Sequence, residues 1–69
     1  MPTIIWKYEV GDLLSSLEKR SEETWGLLVV TKRVVLENSE YYECFSQKLT
    51  QQIKIAKKAL EQHWYNFLA

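Results

Sequence analysis

The sequence predicts an α+β domain, in which one long C-terminal amphipathic helix packs on a small, three-stranded, mostly antiparallel sheet. Apolar residues alternate along the first half of the chain and recur at helical spacing in its last third. The 69 residues include nine aromatic side chains, two glycines and one proline. This composition is typical of a folded chain, and the length suits a single domain over residues 1–69.

The first predicted strand covers residues 3–10. One of its faces would be apolar and would consist of Ile4, Trp6, Tyr8 and Val10. A period of two with β-branched and aromatic residues is typical of a strand with one buried face. Gly11-Asp12 would end this strand.

Residues 12–24 have two interpretations. Three leucines, with the capping-box spacing of Ser15 and Glu18, favour a short helix over 13–22. The charged run 18–23 is also typical of the exposed tip of a long β-loop. We favour the short helix and keep the loop as the alternative.

Two further strands are predicted in the middle of the chain. Residues 25–37 predict a long central strand, because the run 27–30 is apolar on both faces. The polar break at 31–33 indicates a bulge or an edge. Asn38-Ser39 predicts a hairpin turn, since Asn tolerates positive φ, and residues 40–45 form the third strand.

The C-terminal helix is predicted over residues 46–68, with Ser46 as its N-cap. At about 100° of rotation per residue, one apolar stripe contains Leu49, Ile53, Ala56, Leu60, His63, Trp64 and Phe67. Such a stripe needs an apolar surface to pack on, and the sheet would supply it. The predicted core is therefore Ile4, Trp6, Tyr8, Val10, Leu13, Leu27, Val29, Cys44, Leu49, Ile53, Ala56, Leu60, Trp64 and Phe67.

The formal net charge is zero, but the charges are unevenly spread. Residues 1–45 carry five Lys or Arg and eight Asp or Glu, a balance of −3, and residues 46–69 carry four Lys and one Glu, a balance of +3. We expect the basic helix to lie over the acidic sheet. Self-association and nucleic-acid binding are the next interpretations.

No group of residues indicates catalysis. Cys44 and His63 are the only residues of their types, whereas a metal site needs several converging ligands. Gly11 and Gly26 are isolated, so they do not form a phosphate-binding loop. We therefore predict a protein that is not an enzyme and that uses no cofactor and no metal.

The cell compartment is predicted from the cysteine count and the termini. A single cysteine allows no intrachain disulfide, and a small secreted domain usually needs several. No basic region followed by an apolar run marks a signal peptide, and the longest apolar stretch is too short to cross a bilayer. We expect a cytoplasmic protein with no membrane partner.

Protein–protein contact is the predicted function. The chain has more large apolar groups than one helix on three strands can cover, and Tyr and Trp are common interface anchors. The partner would be another protein or a second copy of this chain, as in a homo-oligomer. The candidate partner-binding residues are Trp6, Trp25, Tyr41, Ile55, Tyr65 and Leu68.

A small nucleic-acid-binding module is the alternative prediction. Its candidate contacts to phosphates are Lys32, Arg33, Lys54, Lys57 and Lys58. Aromatic residues in the neighbouring strands would stack on bases. The zero net charge argues against this alternative.

Three segments resemble a known family: Tyr8-Glu9-Val10-Gly11-Asp12-Leu13-Leu14, Trp25-Gly26-Leu27-Leu28-Val29-Val30 and Tyr41-Tyr42-Glu43-Cys44-Phe45. They are similar to small SH3-like barrel proteins, which include short proteins of tailed bacteriophages and KOW-type modules. The likeness covers residues 8–45. It implies a binding or assembly role, as a phage structural component or a phage-encoded inhibitor of a host protein, located in the virion or the host cytoplasm. The predicted long helix departs from these barrels, which usually close with more strands.

Overall fold

A computed structural model describes residues 3–68 of the chain. The elements are β1 (Leu13–Ser16), α1 (Lys19–Trp25), β2 (Leu28–Leu36), β3 (Ser39–Ser46), β4 (Gln51–Ala56), α2 (Lys57–His63) and β5 (Trp64–Asn66). All strand pairs are antiparallel, and the order in the sheet is β4-β3-β2-β1-β5. β1 to β4 therefore form a meander, and α2 returns the chain so that β5 pairs with the free edge of β1.

The predicted fold class, a three-stranded sheet under a helix over 46–68, is wrong. That region contains β4, the short helix α2 and β5. Ile53 and Ile55 alternate along β4 and pack against the core. The helical stripe and the strand alternation share Ile53, so the residue pattern alone fits both structures. Pairing all of β4 with β3 settles the choice, because the ladder satisfies backbone groups along β3.

The predicted strand at 3–10 is also absent, because side chains occupy the backbone groups that a neighbouring strand would use. The Lys7 N–H donates to the Glu61 carboxylate at 2.9 Å, and the Tyr8 N–H donates to the Tyr42 hydroxyl at 3.2 Å. The Arg33 guanidinium donates twice to the Tyr8 carbonyl oxygen, at 3.0 and 2.6 Å. The first strand begins only at Leu13.

A short helix follows β1, but it lies at Lys19–Trp25 rather than at 13–22. The Ser16 hydroxyl accepts the Glu18 N–H at 2.9 Å, just before this helix begins. Gly26 ends the helix with a φ of 66° and donates its N–H to the Glu22 carbonyl. The second strand consequently begins at Leu28 instead of at residue 25.

The predicted bulge is confirmed, and the predicted hairpin turn is present but lies at Glu37-Asn38, one residue before Asn38-Ser39. Glu37 and Asn38 connect β2 to β3 with φ values of 46° and 67°, the positive values that a two-residue hairpin turn requires. The register shifts between Val30 and Lys32, at the polar break in β2. The predicted strand 40–45 lies within β3.

The core lies on one face of the sheet and consists of Tyr8, Leu14, Leu28, Val30, Tyr42, Cys44, Leu60 and Trp64. Four of these had been predicted, namely Tyr8, Cys44, Leu60 and Trp64. Trp6 and Ile53 are partly buried against this core. Leu13, Leu27 and Val29 are half-buried.

Five predicted core residues are exposed instead: Ile4, Val10, Leu49, Ala56 and Phe67. The prediction also chose Leu27 and Val29 where Leu28 and Val30 face the core. Neighbouring residues of a strand point to opposite faces, so an error of one position exchanges the two faces completely. Among residues 3–68, no helix is long and apolar enough to span a bilayer.

Candidate protein-interaction surface

The pairing register assigns each strand residue to the core face or to the opposite, outer face of the sheet. Leu14 pairs with Leu28, and Val30 pairs with Cys44, which defines the core face. Residues directly opposite each other on paired strands share a face, and successive residues alternate. The strand residues between these core-facing residues, together with the residues that they pair with, therefore lie on the outer face.

An apolar row crosses the outer face. Leu13 of β1 pairs with Val29 of β2, which pairs with Phe45 of β3. The Phe67 N–H donates to the Leu13 carbonyl at 2.7 Å, which sets Phe67 beside Leu13 just after β5. Phe45 is 38% exposed and Phe67 is 50% exposed. We call Leu13, Val29, Phe45 and Phe67 the apolar row.

A charged row runs beside the apolar row on the same face. Lys32 of β2 pairs with Glu43 of β3, which pairs with Lys54 of β4. The Thr31 hydroxyl at the bulge donates to the Glu43 carbonyl oxygen at 3.0 Å, so the irregular backbone is held in this register. We call Lys32, Glu43 and Lys54 the charged row.

A third row completes the outer face. Val34, Tyr41 and Ala56 pair across β2, β3 and β4. The Lys54 ammonium lies 5.5 Å from the centre of the Tyr41 ring, within the range of a cation–π contact. The outer face is therefore apolar on both sides of a charged row.

The predicted partner-binding residues do not form one surface. Tyr41 and Tyr65 lie on the outer face, since Tyr65 pairs with Ser15 of β1 and is 43% exposed. Leu68 is 78% exposed beyond β5. The other three, Trp6, Trp25 and Ile55, are partly buried against the core.

Trp6 and Trp25, the two tryptophans among these candidates, pack against aromatic rings of the core. The Trp25 ring stacks on the Trp64 ring at 6.1 Å between centres. The Trp6 ring meets the Tyr42 ring edge-on at 5.1 Å. Such pairs stabilise a small core beyond the area they bury.

The predicted basic residues divide between the two sides of the sheet. Lys32 and Lys54 belong to the charged row, whereas Arg33 and Lys57 lie 5.8 and 5.7 Å from the centre of the Trp6 ring. Arg33 is bonded to the Tyr8 carbonyl, and Lys57 forms an ion pair of 3.0 Å with Glu61. Lys58 follows Lys57 in α2 and lines the same cleft. These five cations therefore do not form one continuous basic surface.

The apolar row was not predicted as a surface, since Leu13, Val29 and Phe67 had been placed in the core. The available signal was the run 27–30, whose apolar side chains point to both faces of one strand. A strand that is apolar on both faces indicates that both faces need cover. Only the register reveals that Phe45 and Leu13 extend this row on either side.

A polar network on the core side fixes the chain behind this surface. The Tyr42 hydroxyl donates to Glu61 Oε2 at 2.5 Å. Burial, together with the hydrogen bond to Glu61, raises the pKa of Tyr42 to about 12. Burial acts to raise the pKa of Glu61 as well, but hydrogen bonds from Tyr42, the Lys7 backbone and Lys57 outweigh it and hold that pKa below its ordinary value.

An open cleft of about 460 Å³ lies between the β2–β3 turn and α2. It is lined by Asn38, Ser39, Glu40, Tyr41, Ala56, Lys57, Lys58 and Glu61. Two of its charged groups, Lys57 and Glu61, pair with each other. The cleft therefore brings together backbone-turn residues and an internal ion pair rather than a set of reactive groups.

The remaining chemistry-bearing side chains lie apart. Burial raises the pKa of the Cys44 thiol to about 12, so the group stays protonated and unreactive near neutral pH. His63 Nδ1 lies 3.2 Å from a Glu18 carboxylate oxygen at the surface. In the described part of the chain, no three His, Cys, Asp or Glu side chains converge in a metal-binding group.

Comparison of the chain with protein-family models, with curated proteins and with solved structures finds no significant match.

Proposed function

We propose that this protein is a small, non-enzymatic protein-interaction module, of an assembly or adaptor kind, which binds through the outer face of its sheet. The apolar row supports this proposal most directly, since four apolar side chains line up across the face and Phe45 and Phe67 remain open to solvent. Covering such surface is favourable by about 25 cal/mol per Å². Contiguous exposed apolar patches commonly mark contact sites.

The resemblance of residues 8–45 to small SH3-like barrel proteins is the basis for a more specific proposal. The region after residue 46 adds two strands, β4 and β5, at opposite edges of the sheet, where the sequence had predicted a helix that departs from such barrels. With this resemblance, we propose a role as a phage structural component or a phage-encoded inhibitor of a host protein. Either role would use a binding surface rather than a reactive site.

Binding of single-stranded nucleic acid is the second candidate function. The contact between Lys54 and the half-buried Tyr41 favours it, because an aromatic ring beside a cation can stack on a base while the cation meets a phosphate. Lys32 lies in the same charged row. Glu43 between the two lysines and the zero net charge both weaken attraction to phosphate, so we rank this function second.

Affinity capture with matched variants tests the proposed function. Tagged wild type, Phe45→Glu and Ile5→Glu would be expressed in cells that carry the gene, and their bound proteins identified by mass spectrometry. Ile5 is the control, since its side chain is 81% exposed but does not lie on the outer face. It belongs to the N-terminal segment, whose Trp6 and Tyr8 pack on Tyr42 on the core side of the sheet. We expect wild type and Ile5→Glu to retain the same protein partner, or tagged-to-untagged self-pairing, and Phe45→Glu to lose it.

Two results would contradict this function. Equal capture by all three proteins would place any binding surface elsewhere. Binding of single-stranded oligonucleotides that disappears in the double variant Lys32→Gln, Lys54→Gln would favour the nucleic-acid candidate. Fluorescence anisotropy at low and moderate salt would measure this, since phosphate contacts weaken steeply as salt rises.

A further inference from the structure

The outer face is complementary to itself. On β2 and β3, three registered pairs follow one another along the strands: Val29 with Phe45, Lys32 with Glu43, and Val34 with Tyr41. The first and last pairs are apolar, and the middle pair is oppositely charged. A surface with this arrangement matches a copy of itself when β2 of one chain lies over β3 of the other.

We propose that the partner of the outer face is a second copy of this chain, bound face to face about a two-fold axis. This proposal rests on the proposed protein-interaction function and names its partner. The axis would lie parallel to the strands, midway between β2 and β3. Lys32 would then face Glu43 of the second copy and Glu43 would face its Lys32, while Phe45 would pack on Val29 in both directions.

Other positions of the axis fit less well. An axis over β3 would set Glu43 against its own copy, and an axis over β2 would do the same to Lys32, so like charges would meet. An axis between β3 and β4 would pair Glu43 with Lys54 but would place Phe45 against Gln52. The axis between β2 and β3 sets opposite charges and apolar side chains against each other on these two central strands, although Leu13 of β1 would then face Gln52 of the second copy.

The geometry and size of the interface are those of known sheet pairs. Two aligned sheets pack about 10 Å apart with strand directions within about 30° of each other. A stable interface needs about 800 Å² from each partner, about a sixth of the 4971 Å² surface of this chain. One face of a body measuring 38 × 23 × 20 Å can supply this fraction. A two-fold contact also uses the same patch on both copies, as most homodimers do.

Charge reversal provides the test. The variant Glu43→Lys would meet Lys32 of its copy, and Lys32→Glu would meet Glu43, so each variant alone should dissociate. In a mixture of the two variants, both cross-chain pairs regain opposite charges. We expect a wild-type dimer by light scattering after size-exclusion chromatography, at least a tenfold weaker dimer for each single variant, and recovery of a one-to-one heterodimer on mixing.

Controls separate binding from folding. Each reversal also changes a neighbouring pair within its own sheet, so thermal melting of each variant would first confirm that the monomer folds. If a reversal unfolds the chain, Phe45→Ser compared with Ile5→Ser gives the same separation: only Phe45→Ser should weaken the dimer. Both replacements remove an apolar side chain, but only Phe45 belongs to the apolar row.

Specific outcomes would overturn the dimer. A wild-type chain that stays monomeric up to about 1 mM, the affinity that corresponds to about −4 kcal/mol, excludes it. A wild-type dimer that survives both reversals, or variants that do not recover on mixing, place the contact on another surface. If the chain is monomeric yet captures a foreign protein through Phe45, the dimer fails and the proposed interaction function stands.

Discussion

Tyr42 of β3 and Glu61 of α2 are joined by a hydrogen bond of 2.5 Å between the Tyr42 hydroxyl and Glu61 Oε2. The same carboxylate accepts the Lys7 N–H and pairs with Lys57. One side chain therefore connects the N-terminal segment, the middle of the sheet and the helix that leads into β5. Phe67 directly follows β5 and lies beside Leu13. By holding the helix that leads into β5, this connection also holds one end of the apolar row.

Replacement of Tyr42 by Phe should lower the free energy of unfolding by about 2 kcal/mol, since a bond to a charged acceptor is lost and the Tyr8 N–H loses its partner. The exposed Tyr65 offers the matched control, and Tyr65→Phe should change stability by less than about 0.5 kcal/mol. Urea unfolding at pH 7, followed by tryptophan fluorescence, measures both. Equal losses in the two variants would show that this hydroxyl does not stabilise the fold.

Acid should weaken the fold through Glu61. Its pKa is lower in the folded chain than in the unfolded chain, so its contribution is present above the ordinary glutamate pKa of about 4.3 and is lost as the pH falls through the folded value. We expect the urea midpoint of Glu61→Gln to fall less steeply with acid than that of wild type. Glu22→Gln, an exposed change in α1, should keep the wild-type slope. A wild-type slope in Glu61→Gln would assign the acid sensitivity to other carboxyl groups.

The hairpin of β2 and β3 could be predicted because its signals are local. Asn38 suits a positive φ, the apolar run 27–30 indicates a central strand, and the polar residues at 31–33 mark the bulge. Each of these features depends on residues close together in the chain. They needed no knowledge of which strand pairs with which.

The C-terminal third could not be predicted in the same way, because its structure depends on distant partners. Ile53 and Leu60 fit a helical stripe, yet Ile53 belongs to a strand and Leu60 to a helix of seven residues. Pairing of β4 with β3 decides this, and pairing energy outweighs a weak local preference for helix. The charged row shares this difficulty, since the bulge shifts the register that brings Lys32 opposite Glu43.

Alkaline pH should weaken the fold through Cys44. Burial raises its pKa from 9.0 to about 12, so the folded state favours the neutral thiol, and its contribution to stability is lost as the pH rises from the unfolded value to the folded one. Within that range the loss is about 1.4 kcal/mol per pH unit. We expect Cys44→Ala to show a shallower fall in unfolding free energy between about pH 9 and pH 12 than wild type.

Slopes, rather than absolute stabilities, are compared in this experiment, because removal of the buried sulfur also costs about 1 kcal/mol at every pH. Tyr42, whose pKa is also raised to about 12, is present in both proteins and contributes equally. Measurements in a reducing buffer keep the thiol free. Parallel curves for the two proteins would mean that Cys44 titrates at its ordinary pKa and is reached by solvent.

Two glycines with positive φ should differ sharply in their response to alanine. Gly26 adopts a φ of 66° and a ψ of −139°, and a Cβ there would lie 3.2 Å from the Lys48 Cβ. Gly11 adopts a φ of 99°, but a Cβ there meets nothing within 4 Å. We expect Gly26→Ala to lower the free energy of unfolding by about 3 kcal/mol and Gly11→Ala by about 1 kcal/mol, since both strain the backbone but only Gly26 adds a tight contact with a neighbouring side chain. Urea unfolding of both variants measures this difference. Equal losses would show that the turn carrying Lys48 moves away from the added methyl group without cost.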